Sequence, residues 1–323
     1  MPDRQGWGEG TAQPDEDALI AQLAGLVGDV SPEIIRGIGD DAAVLAPDLI
    51  WTVDTQVEGV HFRRDLSTPY DVGWKALAVN LSDLAAMGAR PIAALVSVIL
   101  PAGGSVDLEP IYAGLGACSV QYNCPVVGGD ITRGSGLALS ISVLGRAAVA
   151  PPGRAGARRG DVIAVTGTLG ESAAGFAVLT DSGLADMPGA TRCRERHLRP
   201  CPRLADGALL ATNAHAMMDI SDGLATDLRR LARRSNVRIQ LNLDALPMRD
   251  DVRAIGAAMG VVPGVLAATG GEDYELVVAL SERRVESCGV ALTVVGRVVD
   301  GAVGIAFSGV GADEGLRGWD HLR

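Results

Sequence analysis

Lysine is almost absent from this chain: Lys75 is the only one in 323 residues, and the other basic side chains are arginines. A lysine-bearing phosphate cradle of the GxxxxGK[ST] kind is thereby excluded. Basic charge is in deficit altogether. A formal charge of -11 and a pI near 4.8 oppose a nucleic-acid or anionic-membrane partner, since either would be met by clustered Lys and Arg. Cys118, Cys124, Cys193, Cys201 and Cys288 are odd in number and form no CxxC pair, which argues against a disulfide framework and a thiolate zinc site and fits a reducing cytoplasm. Aromatic residues make up only 3% of the chain, so its cores must be aliphatic. No apolar run approaches the roughly 20 residues needed to cross a bilayer; the longest, Ile92 to Leu100, has the length of a buried strand. Residues 1–17 have neither the basic start nor the apolar middle of a signal peptide and read as a loose tail.

With 48% hydrophobic residues, the chain is long enough for two domains, because single cores seldom grow past roughly 250 residues. Short apolar runs alternate with helical patterns, which predicts an α/β fold with mixed sheets. Residues 49–53 (LIWTV) predict a strand, and 92–100 (IAALVSVIL) a strand buried on both faces. Leu137, Leu139, Ile141 and Val143 alternate as a half-buried strand should. Between them, 74–87 reads as a helix with Leu77, Leu81 and Leu84 on one stripe and Gly88 as its stop. The Pro-, Gly- and Arg-rich stretch "APPGRAGARRG" marks a boundary, giving domains at 18–149 and 150–323. The second domain repeats the style, with strands at 161–167, 237–243 and 274–280, the last with Tyr274, Leu276, Val278 and Leu280 in alternation, a helix at 171–180 and a strand then a helix over 216–234.

The chemistry-bearing residues are carboxylates at element ends and in Gly-rich turns. "GIGDDAAVL" sets Asp40 and Asp41 side by side. Thr52 and Asp54, two apart in a strand, share one face about 7 Å from each other. Asp130 follows a strand in "VVGGDITRG", and Asp219 and Asp222 flank the turn in "MMDISDGL". Taken singly, Asp40 or Asp222 also reads as a turn former or helix cap. Asp83 is different: it lies in the apolar helix "ALAVNLSDLAAMGA", where a buried unpaired carboxylate is costly and calls for water or a cation. Together these segments predict an oxygen-only site for Mg²⁺, Mn²⁺ or Ca²⁺. Several such ions would reverse the local sign and hold a polyphosphate, replacing the missing lysine. Gly128, Gly129, Gly134 and "GTLGESAAG" offer bare backbone N–H groups, with Arg133, Arg146 and Arg154 nearby as phosphate partners or as ordinary solvated arginines.

Eight segments in order, "GIGDDAAVL", "TVDTQVEGVHF", "WKALAVNLSDLAAMGARP", "VVGGDITRG", "VTGTLGESAAG", "RHLRPCPR", "MMDISDGLATDL" and "GGEDYEL", resemble the thiamine-monophosphate kinases of the aminoimidazole ribonucleotide synthetase superfamily. The resemblance runs from about residue 20 to the end. It implies transfer of the γ-phosphoryl group of ATP to thiamine monophosphate, giving thiamine diphosphate and ADP, in a homodimer whose N-terminal strands form a shared barrel, with the site in the cleft between domains. By the same resemblance Asp41, Thr52, Asp54, Asp83, Asp130, Asp219 and Asp222 take magnesium positions. Gly129, Asp130, Arg154, Ser221 and Tyr112 match ATP contacts. His61, Glu272 and Trp319 fall on positions that recognise thiamine monophosphate; read without the resemblance, Trp319 is a core aromatic closing the C-terminus and His61 a surface or structural histidine.

The attacking group of such a reaction is already an ionised phosphate oxygen, so no catalytic base is assigned. Other readings have their own signatures. Selenophosphate synthetase needs a reactive Cys near its N-terminus, whereas the first here is Cys118; a hydrogenase-pathway carbamoyl dehydratase ends in cysteine, whereas this chain ends "DHLR". A calcium scaffold of the EF-hand type would read DxDxDG, which "MDISDG" does not satisfy.

Overall fold

The computed structural model describes residues 16–27, 31–103 and 106–320. Most of the tail expected at 1–17 lies outside the described residues; Glu16 already opens helix α1 (Glu16–Ala24). Two six-stranded sheets follow in sequence. The first contains β1 (Ile34–Arg36), β2 (Ala43–Leu45), β3 (Leu49–Val57), β4 (Ala89–Pro101), β5 (Val126–Gly134) and β6 (Ala138–Ala147), in the order β1-β2-β3-β6-β4-β5. Among the described residues, only β4 and β5 run parallel within it. The second contains β7 (Val162–Thr166), β8 (Ala214–Asp219), β9 (Arg238–Asn242), β10 (Leu276–Leu280), β11 (Leu292–Val299) and β12 (Gly304–Ser308), in the order β12-β9-β11-β7-β10-β8. No single helix among the described residues is long and apolar enough to cross a membrane.

Helix α2 (Pro69–Ala86) joins the two halves. It begins five residues before the expected Trp74 because Thr68 and Asp71 form a reciprocal capping box and Pro69 fits the first turn. A helix apolar on nearly every side must be enclosed. Here α3 (Glu109–Gln121) and the first sheet cover one part of α2, while Ala85 and Ala86 enter a core with Leu210 of α6 (Leu204–Leu210), with Met217 of β8 and with Leu276 and Val278 of β10. The C-terminal end of α2 is therefore wedged against the second sheet, which carries Asp83 towards Asp219. The other face of the second sheet is covered by α4 (Glu171–Thr180), α5 (Ala190–Leu198), α7 (Leu224–Ser235), α8 (Asp250–Ala258) and α9 (Pro263–Thr269).

Two strand expectations are corrected. β4 was expected to be buried on both faces; Ala94, Val96 and Val98 are buried, but Leu95 is 49% exposed, because helices cover only one face of the first sheet. The alternation expected over 274–280 is absent: all five residues of β10 are buried, since that strand has helices on both sides. Tyr274 lies before the strand, at φ +48°.

Candidate active site

The cleft between the two halves is a cavity of about 1250 Å³. Its walls include Asp41, Thr52, Asp54, His61, Asp83, Arg154, Asp219, Ser221, Asp222, Glu272 and Trp319, so eleven of the expected site residues converge there. Three do not. Gly129 and Asp130 lie in β5 and Tyr112 in α3, away from the cavity wall.

The register explains why Asp130 is apart. Asp130 pairs with Ser97, Ser97 with Ser140, and Ser140 with Thr55, which places β5 three strands from β3, roughly 14 Å at ordinary strand spacing. Asp54 is next to Thr55 and so projects from the helix-covered face, while Asp130 shares the uncovered face with Ser97 and Thr55.

Asp41, Asp83 and Asp219 form the floor. One carboxylate oxygen from each lies within 4.8 Å of the others. Asp41 is delivered by the turn before β2, Asp83 by the last turn of α2 and Asp219 by the end of β8. Gly39 makes that turn possible: it sits at φ +111°, and a Cβ there would strike the Arg234 guanidinium. Thr52 Oγ1 donates to Asp83 Oδ2 at 2.6 Å, Ser82 Oγ donates to Asp219 Oδ2 at 2.6 Å, and Arg154 Nη2 donates to Asp41 Oδ1 at 2.6 Å. Asp40, the neighbour that the sequence left open, accepts the Arg154 backbone N–H at 3.1 Å and thereby fixes the loop that carries that arginine.

These partners do not balance the negative charge. Burial pushes Asp41 up to about 7 against the opposing pull of Arg154, with Asp219 and Asp40 adding to the rise. Burial likewise takes Asp219 to about 6, and drives Asp83 well above the carboxylate range with help from Asp54, Asp219 and Asp41. Asp54 opens towards the cavity, yet protein crowds its carboxyl closely enough that burial, then Asp222 and Asp41, raise it to about 6. Asp41 Oδ2 is buried with no hydrogen-bond partner among the described residues. An unmatched acceptor beside two further carboxylate oxygens fits a hard divalent cation: oxygen donors only, clustered, with negative charge unmet.

Asp222 lies at the edge of this floor, held by Arg230. Arg230 also contacts Asp227 Oδ1 at 3.2 Å and Glu16 of α1 at 3.4 Å. Asp227, wholly buried, accepts the Ser221 N–H at 3.1 Å and so shapes the turn between β8 and α7. Neither Asp227 nor Arg230 stood out in sequence; the i, i+3 spacing of the pair on α7 was the available signal.

At the other end of the cavity Glu272 sits at φ +56°, following Gly271 at φ +69°. Its Oε1 meets Lys75 Nζ at 2.7 Å and its Oε2 meets His197 Nδ1 at 3.3 Å. Burial works to raise the Glu272 carboxyl, but the Lys75 ammonium above all outweighs it and holds it below its usual value. His197 is pushed down to about 4 by burial and by Lys75, so it is neutral at ordinary pH. His61 Nδ1 accepts the Val57 N–H at 3.1 Å, closing the turn after β3. The Trp319 backbone N–H donates to the Asp222 carbonyl at 2.8 Å, which ties the C-terminal segment to the rim, and 53% of the residue is exposed.

The comparisons with known proteins agree with this geometry. The AIR synthase related protein N-terminal domain matches residues 39–147, and the corresponding C-terminal domain matches residues 158–307. A thiamine-monophosphate kinase of Salmonella typhimurium is 37% identical over 95% of this chain and 98% of its own length. The chain belongs to the thiamine-monophosphate kinase family. A second member, from Aquifex aeolicus, is 37% identical over 88% of this chain and 92% of its own. A solved structure described as "AaThiL complexed with AMPPCP and TMP" is 34% identical, covers 98% of this chain and 100% of its own, and superposes with a TM-score of 0.86. That relative holds an ATP analogue and TMP in a fold this chain shares over nearly its whole length.

Proposed function

We propose that this chain is a thiamine-monophosphate kinase that transfers the γ-phosphoryl group of ATP to the phosphate of thiamine monophosphate, releasing thiamine diphosphate and ADP, with several Mg²⁺ ions in its site. The observation that carries the reading is the floor of the cleft: three buried carboxylates within 4.8 Å of one another and an orphaned oxygen on Asp41. Asp41, Asp83 and Asp219 would hold cations there, with Thr52, Asp54 and Asp222 at the edge of the set. Magnesium bound at those residues would supply positive charge for the transferring phosphoryl group. The chain's own residues do the rest. Arg154, anchored between Asp40 and Asp41, aims its guanidinium into the cavity as a phosphate partner. His61, Glu272 and Trp319 line the part that would take thiamine monophosphate; the carboxylate and the indole suit a cationic thiazolium. The acceptor oxygen is already ionised, so alignment and charge neutralisation carry the rate and no side chain need remove a proton.

The uncovered face of the first sheet supports a homodimer. Trp51, Val53, Leu95 and Val127 are large, apolar and exposed on or beside it, and β5 is a nine-residue edge strand with one side unpaired. A second copy packed there would close a shared barrel and bring the partner subunit's Gly129, Asp130 and Tyr112 within reach of the nucleotide. The same reading divides the chain at 149/150, assigning 18–149 to nucleotide, metal and dimer contacts, and places the enzyme in the cytoplasm, in keeping with five unpaired cysteines. ATP consumption matched one for one by thiamine diphosphate, identified by mass spectrometry and dependent on Mg²⁺, tests the function. ATP binding without turnover would instead favour a nucleotide-binding scaffold.

A further inference from the structure

The one lysine of the chain has no place in the proposed function beyond its pairing with Glu272. Lys75 is in the second turn of α2, with only 5% of its side chain exposed, and it does not line the cavity. A buried ammonium is expensive unless paired, and its partner is Glu272, a residue that does line the cavity. The contact crosses between the halves of the molecule: α2 belongs with the first sheet, and Glu272 lies in the "GGED" turn before β10 of the second. Glu272 is also held in an unfavourable backbone conformation, at φ +56°, which persists only where surrounding contacts enforce it. Its backbone N–H is bonded to the Ser221 carbonyl at 2.6 Å, and its second carboxylate oxygen lies 3.3 Å from His197 Nδ1, itself 3.0 Å from Ser172 Oγ.

We infer that Lys75 is a positioning residue for the acceptor substrate: from behind the cavity wall it orients the Glu272 carboxylate and keeps it available to the cationic ring of the acceptor. This rests on the thiamine-monophosphate kinase reading. Two features favour positioning over a structural role. Lys75 meets Oε1 at 2.7 Å from behind the wall, while Oε2 meets His197, a residue that itself lines the cavity. Glu275, three residues on, shows what a structural acid looks like here: it is closed off by Arg196, Arg203 and Thr166 together and does not line this cavity.

A single lysine makes the test direct. In protein carrying [¹³Cε]lysine, the side-chain region of the carbon spectrum holds one signal, from Lys75. Thiamine monophosphate is expected to shift it with the same saturation curve that calorimetry gives for binding, while Mg²⁺ with a non-hydrolysable ATP analogue leaves it within its linewidth. In kinetics, Lys75→Met should raise KM for thiamine monophosphate by about tenfold or more, with KM for ATP changed less than about twofold. In a Glu272→Gln background the same substitution should change KM for thiamine monophosphate by less than about twofold, because the charge it serves is gone. An unmoved signal at calorimetric saturation with thiamine monophosphate overturns the inference. Equal losses for both substrates, or the same loss in the Glu272→Gln background, overturn it too. Calorimetry that detects no thiamine monophosphate binding by the wild-type protein overturns the functional reading itself.

Discussion

The cavity contains buried carboxylates at both ends, and they are treated in opposite ways. At the floor, Asp41, Asp83 and Asp219 crowd together with one arginine between them and are pushed towards protonation. At the far end Glu272 is paired with an internal ammonium, has His197 beside it, and is held ionised. The chain provides the cation where it needs a fixed, oriented carboxylate. It leaves the negative charge uncompensated at the floor, where the proposed function would place the cations. A fully paired floor would be more stable and would have no affinity left for a metal.

The largest expected effect follows from removing one floor carboxylate. Asp83→Asn should lower turnover by on the order of 10³-fold, while raising the melting temperature of the metal-free protein, because it relieves mutual repulsion among buried acids. Near-normal turnover, or a lower melting temperature, would remove Asp83 from the floor. Next comes an acid with only a structural task. Glu275→Gln, which leaves Arg196 and Arg203 facing a neutral side chain, should cost about 3 kcal/mol in denaturant unfolding without altering the stoichiometry of metal binding. Trp319→Ala should weaken thiamine monophosphate by about 2- to 30-fold, the range of a cation–π contact, and leave ATP binding nearly unchanged; equal losses by calorimetry would assign the indole to the fold.

The pH dependence separates the two ends by sign. In the metal-free fold Asp41, Asp54 and Asp219 titrate near 7, 6 and 6, above the ordinary 3.8. Between pH 4 and 7 the folded state thus binds more protons than the unfolded chain, and the floor's contribution to stability is lost as pH rises through about 6 to 7. Glu272 is shifted the other way, so its contribution is kept in that window and lost only at lower pH. Melting temperature without divalent cations should therefore fall from pH 5 to 8. The increment gained on adding Mg²⁺ should grow over the same interval, because protons and cations compete for the same oxygens. An Mg²⁺ increment independent of pH would contradict the assignment.

Much of this site was legible in the sequence, for a physical reason. Asp83 announced itself as a carboxylate in an otherwise apolar helix, and Thr52 and Asp54 by a period of two, because both signals are local. Helix α4 matched its expected span for the same reason: "GTLGESAAG" is a local turn-to-helix pattern. What depends on long-range packing was hidden. Lys75 was conspicuous as a count, but its partner is nearly two hundred positions away in sequence and meets it only because α2 is wedged between the sheets. The two strand corrections have a common cause: a run such as IAALVSVIL does not say whether one face or two will be covered. Asp130 shows the limit most plainly, since a motif places it in the nucleotide set while strand register puts it three strands from β3, outside the wall of the single-chain cavity.

The most direct test of the central claim is a crystal structure of the protein with Mn²⁺ and a non-hydrolysable ATP analogue, with the ions located by anomalous scattering. The account predicts anomalous peaks within coordination distance of Asp41, Asp83 and Asp219, bridged to phosphate oxygens, with Glu272 still paired to Lys75 and free of metal. Peaks at Glu272, or an analogue bound with no ion on the three floor carboxylates, would contradict it.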